Sequence, residues 1–391
     1  MAKWEMMTGN KAAAVGAKLA RVQVIPAYPI TPQTTIVEYL SKFVEQGELK
    51  AEFIRVESEH SAMAACIGAA AGGVRAFTAT SSHGLLLMAE MVFWAAGARL
   101  PIGMAVVNRA LAPPWNIHVE HTDSHSQRDS GFIQFYAKDN QEVLDTIILM
   151  YKVAEDERVL LPAMVCLDGF ILSHTYMPVE IPDQEDVDAF LPPYEPKGFL
   201  LDPDKPLTYG SLALPDHYME MRYDIQRSIE AARDLILKYS KEYKEIFGRD
   251  HGGLLETYKV EDADYLLISM GTLGEEAKVA ADTLRKDGIK AGAVRVRVFR
   301  PFPTKTFVNT VSDKNALIVV ERHLSLGGIG GALGTELKAL LYGKTDVPIF
   351  DYVTGLGGRD TTYLDLAKIV KHSIKTGKPE DNYMWYNLKI G

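Results

Sequence analysis

The alternation of short apolar runs with longer helical patterns constrains the fold of this 391-residue chain more than any other feature. In the first part of the chain the apolar runs are VQVIPAY, AEFIRV, RAFTATSS, PIGMAVVN and AMVCLDG. Strands that are buried on both faces of a parallel sheet read as continuous apolar runs, and their alternation with helices is typical of such sheets. The pattern therefore predicts an α/β fold in which helices cover both faces of a parallel sheet.

The alternation restarts after Ala263 with the runs DYLLISMG, AGAVRVRVF, ALIVVE and PIFDYVTG. Between the two units, residues 175–215 are rich in proline and acidic residues, which predicts an ordered arm without regular structure. A charged helical pattern follows over residues 217–247. We therefore predict one α/β domain over residues 1–180, an arm or linker with a helical segment over 181–258, and a second α/β domain over 259–391.

Composition excludes several classes of protein. The net charge is −9 and no run of Lys and Arg stands out, which argues against a nucleic-acid partner. No stretch approaches the roughly 20 apolar residues of a membrane span, and the N-terminus lacks the apolar core of a signal peptide. The two cysteines, Cys66 and Cys166, lie in apolar contexts and are predicted to be buried thiols, so we expect no cysteine-held metal or cluster and a cytoplasmic location.

The turns that follow the predicted strands are the first places to look for a site, because ligands of open α/β sheets bind at the carboxyl ends of strands. In AYPITPQT, Pro29 and Pro32 fix the backbone around Thr31 and hold its hydroxyl in one place. The alternative is that Thr31 and Pro32 simply open the helix that follows. In RVESEHSAMAACIGAAAGG, Glu59 begins a helix of small residues that we expect to be buried. Glu59 either stabilises the helix N-terminus or shares a proton with a ligand nitrogen.

Two further stretches carry polar side chains after strands. His83 in TSSHGLLLMAEM is either a helix-capping residue or a ligand contact. Arg109 opens a long polar loop, and its fork of donors suits a carboxylate. The same loop holds Asp123 and the histidines His118, His121 and His125, but their spacing offers no clear metal site and we predict none.

The glycines of LGGIGGALGTE, at positions 327 to 334, do not form a dinucleotide-binding fingerprint. Either the loop binds a phosphate, or the glycines allow close packing of a helix on a strand. We favour close packing.

The motifs YPITPQT, ESEHSAMAACIGAAAGG, TATSSHGLLLMAEM, NRALAPPWNI, DSHSQRDSGFIQFYA and GLGGRD occur in this order along the chain. In this combination the chain resembles the α subunit of 2-oxoacid:ferredoxin oxidoreductases, of which the pyruvate enzyme is the common member. The resemblance covers essentially the whole chain. It implies a thiamine-diphosphate-fold pyrimidine-binding (Pyr) domain followed by a transketolase C-terminal-like domain.

The resemblance also implies cofactors and partners. Thiamine diphosphate would be shared with a β subunit that holds the diphosphate and Mg²⁺ through a GDG motif, which this sequence lacks. The [4Fe-4S] clusters would belong to partner subunits, with γ and δ subunits that are CoA-related and ferredoxin-like. Coenzyme A would be the co-substrate and ferredoxin the electron acceptor, in the CoA-dependent oxidative decarboxylation of a 2-oxoacid.

Site residues follow from the matched motifs. Glu59 matches the residue that hydrogen-bonds N1′ of the cofactor's aminopyrimidine, Thr31 matches a residue that hydrogen-bonds the substrate, and Arg109 matches one that pairs with the substrate carboxylate. Glu57 is the nearby alternative to Glu59, but its register does not match. The wider expectation assigns cofactor contacts to Tyr28, Pro29, Glu59 and His83, and the substrate pocket to Thr31, His83, Arg109, Asn116 and His118.

The sequence departs from the usual pyruvate pattern. His83 stands where pyruvate enzymes carry Gln, and Phe132 stands where Trp is common, so a branched or aryl 2-oxoacid is an alternative substrate. Oxalate is disfavoured, because that relative carries Arg at the position of Thr31. Two other functions stay open: a non-catalytic assembly subunit, and a transketolase-like or dehydrogenase half, against which the missing nucleotide fingerprint argues.

Overall fold

The computed structural model describes residues 3–196, 200–311 and 313–389. The first part of the chain contains β1 (Lys3–Met7), α1 (Gly9–Leu19), β2 (Val24–Ala27), α2 (Thr34–Glu45), β3 (Glu52–Arg55), α3 (Glu59–Ala71), β4 (Phe77–Thr80), α4 (Ser82–Leu87), α5 (Ala89–Gly97), β5 (Gly103–Asn108), α6 (Thr122–His125), β6 (Ile133–Tyr136), α7 (Asn140–Ala154), β7 (Ala163–Asp168), β8 (Met177–Ile181) and α8 (Gln184–Phe190). The long helix α9 (Pro215–Phe247) follows.

The second part contains β9 (Leu255–Tyr258), β10 (Tyr265–Met270), α10 (Leu273–Lys286), β11 (Ala291–Val296), β12 (Val298–Arg300), α11 (Thr304–Val311), β13 (Ala316–Glu321), α12 (Ala332–Leu341), β14 (Ile349–Val353), a 3₁₀ turn (Leu356–Gly358), α13 (Tyr363–Thr376) and β15 (Met384–Trp385). Within the described residues, no helix combines the length and the apolar character needed to cross a bilayer.

The first sheet has the strand order β12-β6-β7-β5-β4, and a bridge between Val24 and Ala76 continues it into the parallel pair β2-β3. Apart from the edge strand β12, its paired strands run parallel. Every residue of β5 and β7 is buried, as their uninterrupted apolar sequences predict. The predicted parallel α/β sheet is confirmed, and the carboxyl ends of β2, β4, β5 and β7 share one edge.

The second sheet has the order β15-β14-β13-β10-β11-β9, in which only the pair β11-β9 is antiparallel among the described pairs. The second predicted α/β unit is therefore confirmed. Two strands do not follow the predicted domain limits. Strand β9 lies within residues 181–258 but pairs in the second sheet, and β12 lies within residues 259–391 but pairs with β6 of the first sheet. The domain limits themselves remain a prediction.

The expectation that residues 175–215 lack regular structure was wrong for part of that region. Strand β8 pairs antiparallel with β1, and α8 follows it. Helix α8 buries Val187 and Phe190 one turn apart, while Glu185 and Asp186 lie in its first turn, where acidic residues stabilise a helix. Residues 197–199 lie outside the described residues. The two cysteines are free and buried, as predicted.

A buried ion-pair cluster joins the two units through Glu142 on α7. Its Oε1 accepts hydrogen bonds from Arg295 Nη2 at 2.9 Å and from Arg297 Nε at 2.7 Å. Burial alone would raise the pKa of Glu142, but the charges of the two arginines, with those of His251 and Lys138, hold it well below its usual range. Charges buried this deeply are tolerated only when they are paired, so the cluster fixes β11 against α7.

A second buried cluster joins the carboxyl ends of strands from both sheets at Asp168, the last residue of β7. Its Oδ1 lies 2.8 Å from His121 Nε2, and its Oδ2 accepts from Arg322 Nη1 at 2.5 Å and from the Thr272 backbone N–H at 3.1 Å. Arg322 follows β13 and Thr272 follows β10. The charges of His121 and Arg322 outweigh burial and lower the pKa of Asp168.

We expect Asp168→Asn to lower the free energy of unfolding by about 3 kcal/mol at pH 7, because it leaves Arg322 buried without its anion. The folded-state pKa of Asp168 lies below its unfolded value of about 3.9, so its contribution is present above that pH and is lost as the pH falls. The difference from the parent protein should therefore shrink at pH 3. Denaturant unfolding at both pH values measures it.

The matched control is Asp287→Asn, which removes an exposed ion pair with Lys371 and should cost less than about 1 kcal/mol. Equal losses in the two variants, or a loss in Asp168→Asn that does not depend on pH, would contradict the assignment of Asp168 as a buried ionised partner.

Candidate active site

The turn after β2 leaves Thr31 free for a ligand. Helix α2 begins at Thr34, and its N-cap position is taken by Gln33, which makes no capping bond through its side chain. The alternative role of Thr31 as a helix cap is therefore wrong. Thr31 and Pro29 are exposed and Tyr28 is half-buried. Tyr28 and Pro29 also line part of an open groove of about 630 Å³ beside α2 and β3.

Glu59 is a buried carboxylate that has no partner in the described part of the chain. It is the first residue of α3, only 6% exposed, and makes no hydrogen bond or ion pair to the described residues. Ser58 caps the helix by accepting from the Ser61 backbone N–H at 3.2 Å, so the Glu59 side chain is not needed as the cap. The prediction that α3 is buried all round was wrong for one face, on which Gly68 is exposed.

A glycine in α4 makes room for this carboxylate. A Cβ atom on Gly84 would lie 2.6 Å from Glu59 Oε1 and 2.5 Å from Thr80 Oγ1, closer than packed atoms approach. The hydroxyls of Thr80 and Ser81 are buried without a hydrogen-bond partner among the described residues. Buried polar groups are normally paired, so the unpaired hydroxyl of Thr80, which borders the same space at Gly84 as the Glu59 carboxylate, marks this place as a candidate ligand contact.

Arg109 brings two other predicted residues together. It follows β5, is 6% exposed, and donates from Nη1 to the Thr31 carbonyl at 2.7 Å and from Nε to the Asn116 carbonyl at 3.2 Å. Its Nη2 has no acceptor among the described residues. A guanidinium that is held by two carbonyls and keeps one free nitrogen is suited to bind a carboxylate.

Asp123 holds several parts of the site together through hydrogen bonds, a role that the sequence pattern did not indicate. Its carboxylate accepts hydrogen bonds from the backbone N–H groups of Ser82 and Arg109, each at 3.0 Å, and of Ser124 at 2.8 Å, and from Asn108 Nδ2 at 2.8 Å. Burial raises the pKa of Asp123 to about 6, against the effect of these hydrogen bonds. One side chain thus ties the start of α4 to Arg109.

The two remaining pocket candidates contact the loop between β5 and α6 (residues 109–121) in different ways. His83 Nε2 lies 3.1 Å from the Ala112 backbone nitrogen and oxygen, and its ring lies 5.5 Å from that of Trp115. His118 is exposed and its ring lies 4.9 Å from that of Phe170. His83 therefore binds α4 to the loop, so its contacts go beyond the helix-capping role considered from the sequence.

The histidines of the loop are not gathered around a metal. His121 is bound to Asp168, and His125 is enclosed by rings, with centroids 4.5 Å from Phe299 and 4.7 Å from His323. Among the residues that the structure describes, no group of three metal-ligating side chains forms a site. Phe132 is fully buried in the hydrophobic core, where it is a packing residue.

The glycine-rich loop before α12 allows close packing, as favoured from the sequence. A Cβ atom on Gly331 would overlap the Glu321 carboxylate, and one on Gly334 would overlap that of Asp351. Glu321 accepts from the backbone N–H groups of Leu333 at 3.0 Å and Gly334 at 2.9 Å. A carboxylate of the chain itself thus occupies the helix N-terminus that a phosphate would need.

Comparison with known proteins connects this geometry to a family. Residues 15–241 match the family model described as pyruvate flavodoxin/ferredoxin oxidoreductase, thiamine diP-bdg. The chain belongs to this family. Residues 263–366 match the model of pyruvate:ferredoxin oxidoreductase core domain II, so the resemblance seen in the sequence is confirmed in both parts of the chain.

Members of the family with curated names are similar over their whole length. The pyruvate synthase subunit PorA of Methanocaldococcus jannaschii is 51% identical, covering 100% of this chain and 99% of the relative. PorA of Pyrococcus furiosus is 50% identical and the ketoisovalerate oxidoreductase subunit VorA of Pyrococcus horikoshii is 49% identical, each covering 98% of both chains.

Two solved structures share the fold of this chain. A 2-oxoglutarate:ferredoxin oxidoreductase from Magnetococcus marinus matches with a TM-score of 0.73 at 20% identity, covering 95% of this chain. The chain spans 65% of the length of that structure. A split-gene transketolase matches with a TM-score of 0.53 at 15% identity, covering 96% of this chain and 100% of that one.

Gly84→Ala should destabilise the protein by about 1–3 kcal/mol, because the new methyl group displaces Glu59 or Thr80. Gly97→Ala is the matched control: Gly97 is also a helical glycine, and a Cβ atom there would meet nothing within 4 Å. The control should be neutral or slightly stabilising, because alanine favours helices. Thermal unfolding of both variants measures the difference, and equal stability would show that the space beside Glu59 is not tightly packed.

Proposed function

We propose that this chain is the α subunit of a multi-subunit, thiamine-diphosphate-dependent 2-oxoacid:ferredoxin oxidoreductase. The reaction is the CoA-dependent oxidative decarboxylation of a 2-oxoacid to acyl-CoA and CO₂, with both electrons passed to ferredoxin. The observation that carries the proposal is the carboxylate of Glu59, which has no partner among the described residues. It lies in the space left by the missing side chain of Gly84, in a chain that belongs to this family. An assembly subunit without chemistry would have little use for a buried carboxylate that makes no hydrogen bond or ion pair to the described residues.

The residues around Glu59 fit the aminopyrimidine ring of the cofactor. When bound, thiamine diphosphate supplies a carbon nucleophile that adds to the 2-oxo carbon and accepts the electron pair released by decarboxylation. Glu59 would bind the ring nitrogen N1′ and share its proton, in a site where Gly84 leaves space for the carboxylate. Tyr28, Pro29 and His83 would contact the cofactor around it.

The diphosphate and Mg²⁺ are assigned to a partner, the β subunit. In this chain the helix N-terminus of the glycine-rich loop is already occupied by Glu321. The two cysteines are buried singly, so the [4Fe-4S] clusters are assigned to partners as well. We place coenzyme A and ferredoxin contacts on the γ and δ subunits, and the assembled enzyme in the cytoplasm.

The substrate carboxylate would bind at Arg109. The free Nη2 provides the donor, and the exposed Thr31 side chain lies on the turn whose carbonyl holds Nη1. His83 and His118 would border the rest of the substrate, and Asn116 would support Arg109 through its carbonyl. Pyruvate is the first candidate because of the PorA relatives, and 2-oxoisovalerate is the second because a VorA relative is 49% identical. Turnover of pyruvate, 2-oxoisovalerate, phenylglyoxylate and 2-oxoglutarate by the reconstituted complex decides between them.

Glu59→Gln should reduce turnover by about 10²- to 10⁴-fold, because the amide cannot share a proton with the ring nitrogen. The subunits should still assemble, since the substitution preserves shape. Glu57→Gln is the matched control: Glu57 is exposed and contacts Ser61, and its variant should keep nearly full activity. Steady-state rates with ferredoxin reduction measure both variants. Near-normal activity of Glu59→Gln would remove Glu59 from the mechanism.

Arg109→Ala should lower kcat/KM for the 2-oxoacid by about 10- to 100-fold, the effect of losing a hydrogen bond between charged groups. Arg158→Ala, which removes an exposed arginine that forms an ion pair with Asp156, is the control and should have no effect. The measurement is initial rate against 2-oxoacid concentration at saturating coenzyme A. An unchanged kcat/KM would refute the carboxylate contact.

A further inference from the structure

The 3₁₀ turn of the second unit lies directly against the loop that begins with Arg109. We call residues Gly355–Gly358 the glycine turn. Its Gly357 carbonyl accepts from Asn116 Nδ2 at 3.0 Å, and its Gly358 backbone N–H donates to the Val119 carbonyl at 3.0 Å. Asn116 and Gly357 are 241 residues apart in sequence. The contact is therefore made by the fold and not by chain connectivity.

Asn116 connects this contact to Arg109. Its carbonyl accepts from Arg109 Nε at 3.2 Å, and its Oδ1 accepts from the His118 backbone N–H at 2.7 Å. Both polar atoms of the Asn116 side-chain amide are therefore bonded within the chain: the oxygen orders the loop and the nitrogen binds the glycine turn. An unbroken path of hydrogen bonds runs from Gly357 through Asn116 to the guanidinium.

The glycine turn can approach the loop so closely only because Gly357 and Gly358 carry no side chains. A Cβ atom on Gly357 would lie 2.6 Å from Asn116 Nδ2, and one on Gly358 would overlap Cβ of His118. Both glycines have positive φ, +61° and +76°, a conformation that other residues rarely adopt. Backbone conformation and close contact therefore both require glycine here.

We propose that the glycine turn of the second unit is a positioning element for Arg109, acting through Asn116 and setting the direction in which the guanidinium meets the substrate carboxylate. The inference rests on the proposed function, since it assigns a role in substrate binding. In this arrangement Asn116 orients Arg109 through its carbonyl, and Gly357 and Gly358 contribute without touching the substrate.

The second unit supports Arg109 through Asn116. Arg109 Nη1 is held by the Thr31 carbonyl, and its Nε is held by the carbonyl of Asn116, whose side chain binds the glycine turn. His83 and Asp168 hold the same loop at Ala112 and His121. Removing the glycine turn would leave Asn116 without its Nδ2 acceptor. Small displacements of a binding group have large kinetic effects, about 10²-fold for 1 Å.

The experiment compares Gly358→Ala with Gly327→Ala in the reconstituted complex. Gly327 has the same φ, +76°, but a Cβ atom there would meet nothing within 4 Å. Both variants place a side chain at the same positive φ, and of the two only Gly358→Ala pushes against His118, whose backbone N–H binds Asn116 Oδ1. We expect Gly358→Ala to raise KM for pyruvate, or for the best 2-oxoacid of the complex, by about tenfold or more. The affinity for thiamine diphosphate should stay unchanged, and Gly327→Ala should keep both values.

Asn116→Ala provides a second variant that leaves the backbone of the glycine turn intact, in case Gly358→Ala does not assemble. It should raise the same KM without changing cofactor affinity. If Asn116→Ala leaves KM unchanged, or if Gly358→Ala and Gly327→Ala behave alike, the positioning role is refuted. Failure of the parent complex to turn over any 2-oxoacid would refute the proposed function instead, so the two failures are distinguishable.

Discussion

The charge of Asp168 determines how the two halves of the molecule face each other. Because it is buried at the carboxyl end of β7, it must be neutralised, and its partners come from the ends of β10 and β13 and from His121. This brings the functional edges of both sheets together and fixes the far end of the loop that starts at Arg109. The backbone bond from His121 N–H to the Arg322 carbonyl adds to the same junction.

Two buried carboxylates in the first unit have opposite environments. Asp123 accepts from four donors and is fully used in holding the backbone in place. Glu59 has no partner among the described residues, although it is nearly as deeply buried. A protein interior leaves such a group unpaired at a cost, and active sites are where that cost is found. The contrast separates Asp123, which holds the site together, from Glu59, which we propose acts in it.

The sequence predicted most of the parallel strands, because runs such as GMAVVN and AMVCLD have no other simple explanation. Among the strands that it did not predict are β6, whose sequence IQFY was not recognised as an apolar run, and β8, whose sequence MPVEI was read as part of a proline-rich arm. Glu59, Thr31 and Arg109 could be singled out as candidates because each follows a strand, and their roles remain a prediction. Asp123, Gly84 and Gly358 were missed, because a buried acceptor and a required absence of Cβ depend on neighbours that are distant in sequence.

Strand β12 has a consequence for how the two halves can move. It belongs by sequence to the second unit, yet it forms the edge of the first sheet through its pairing with β6. Any hinge motion that separated the two halves would have to break the pairing of β12 with β6. A gene split just before β12 would likewise leave the first fragment with an uncovered sheet border, and neither fragment would be self-sufficient.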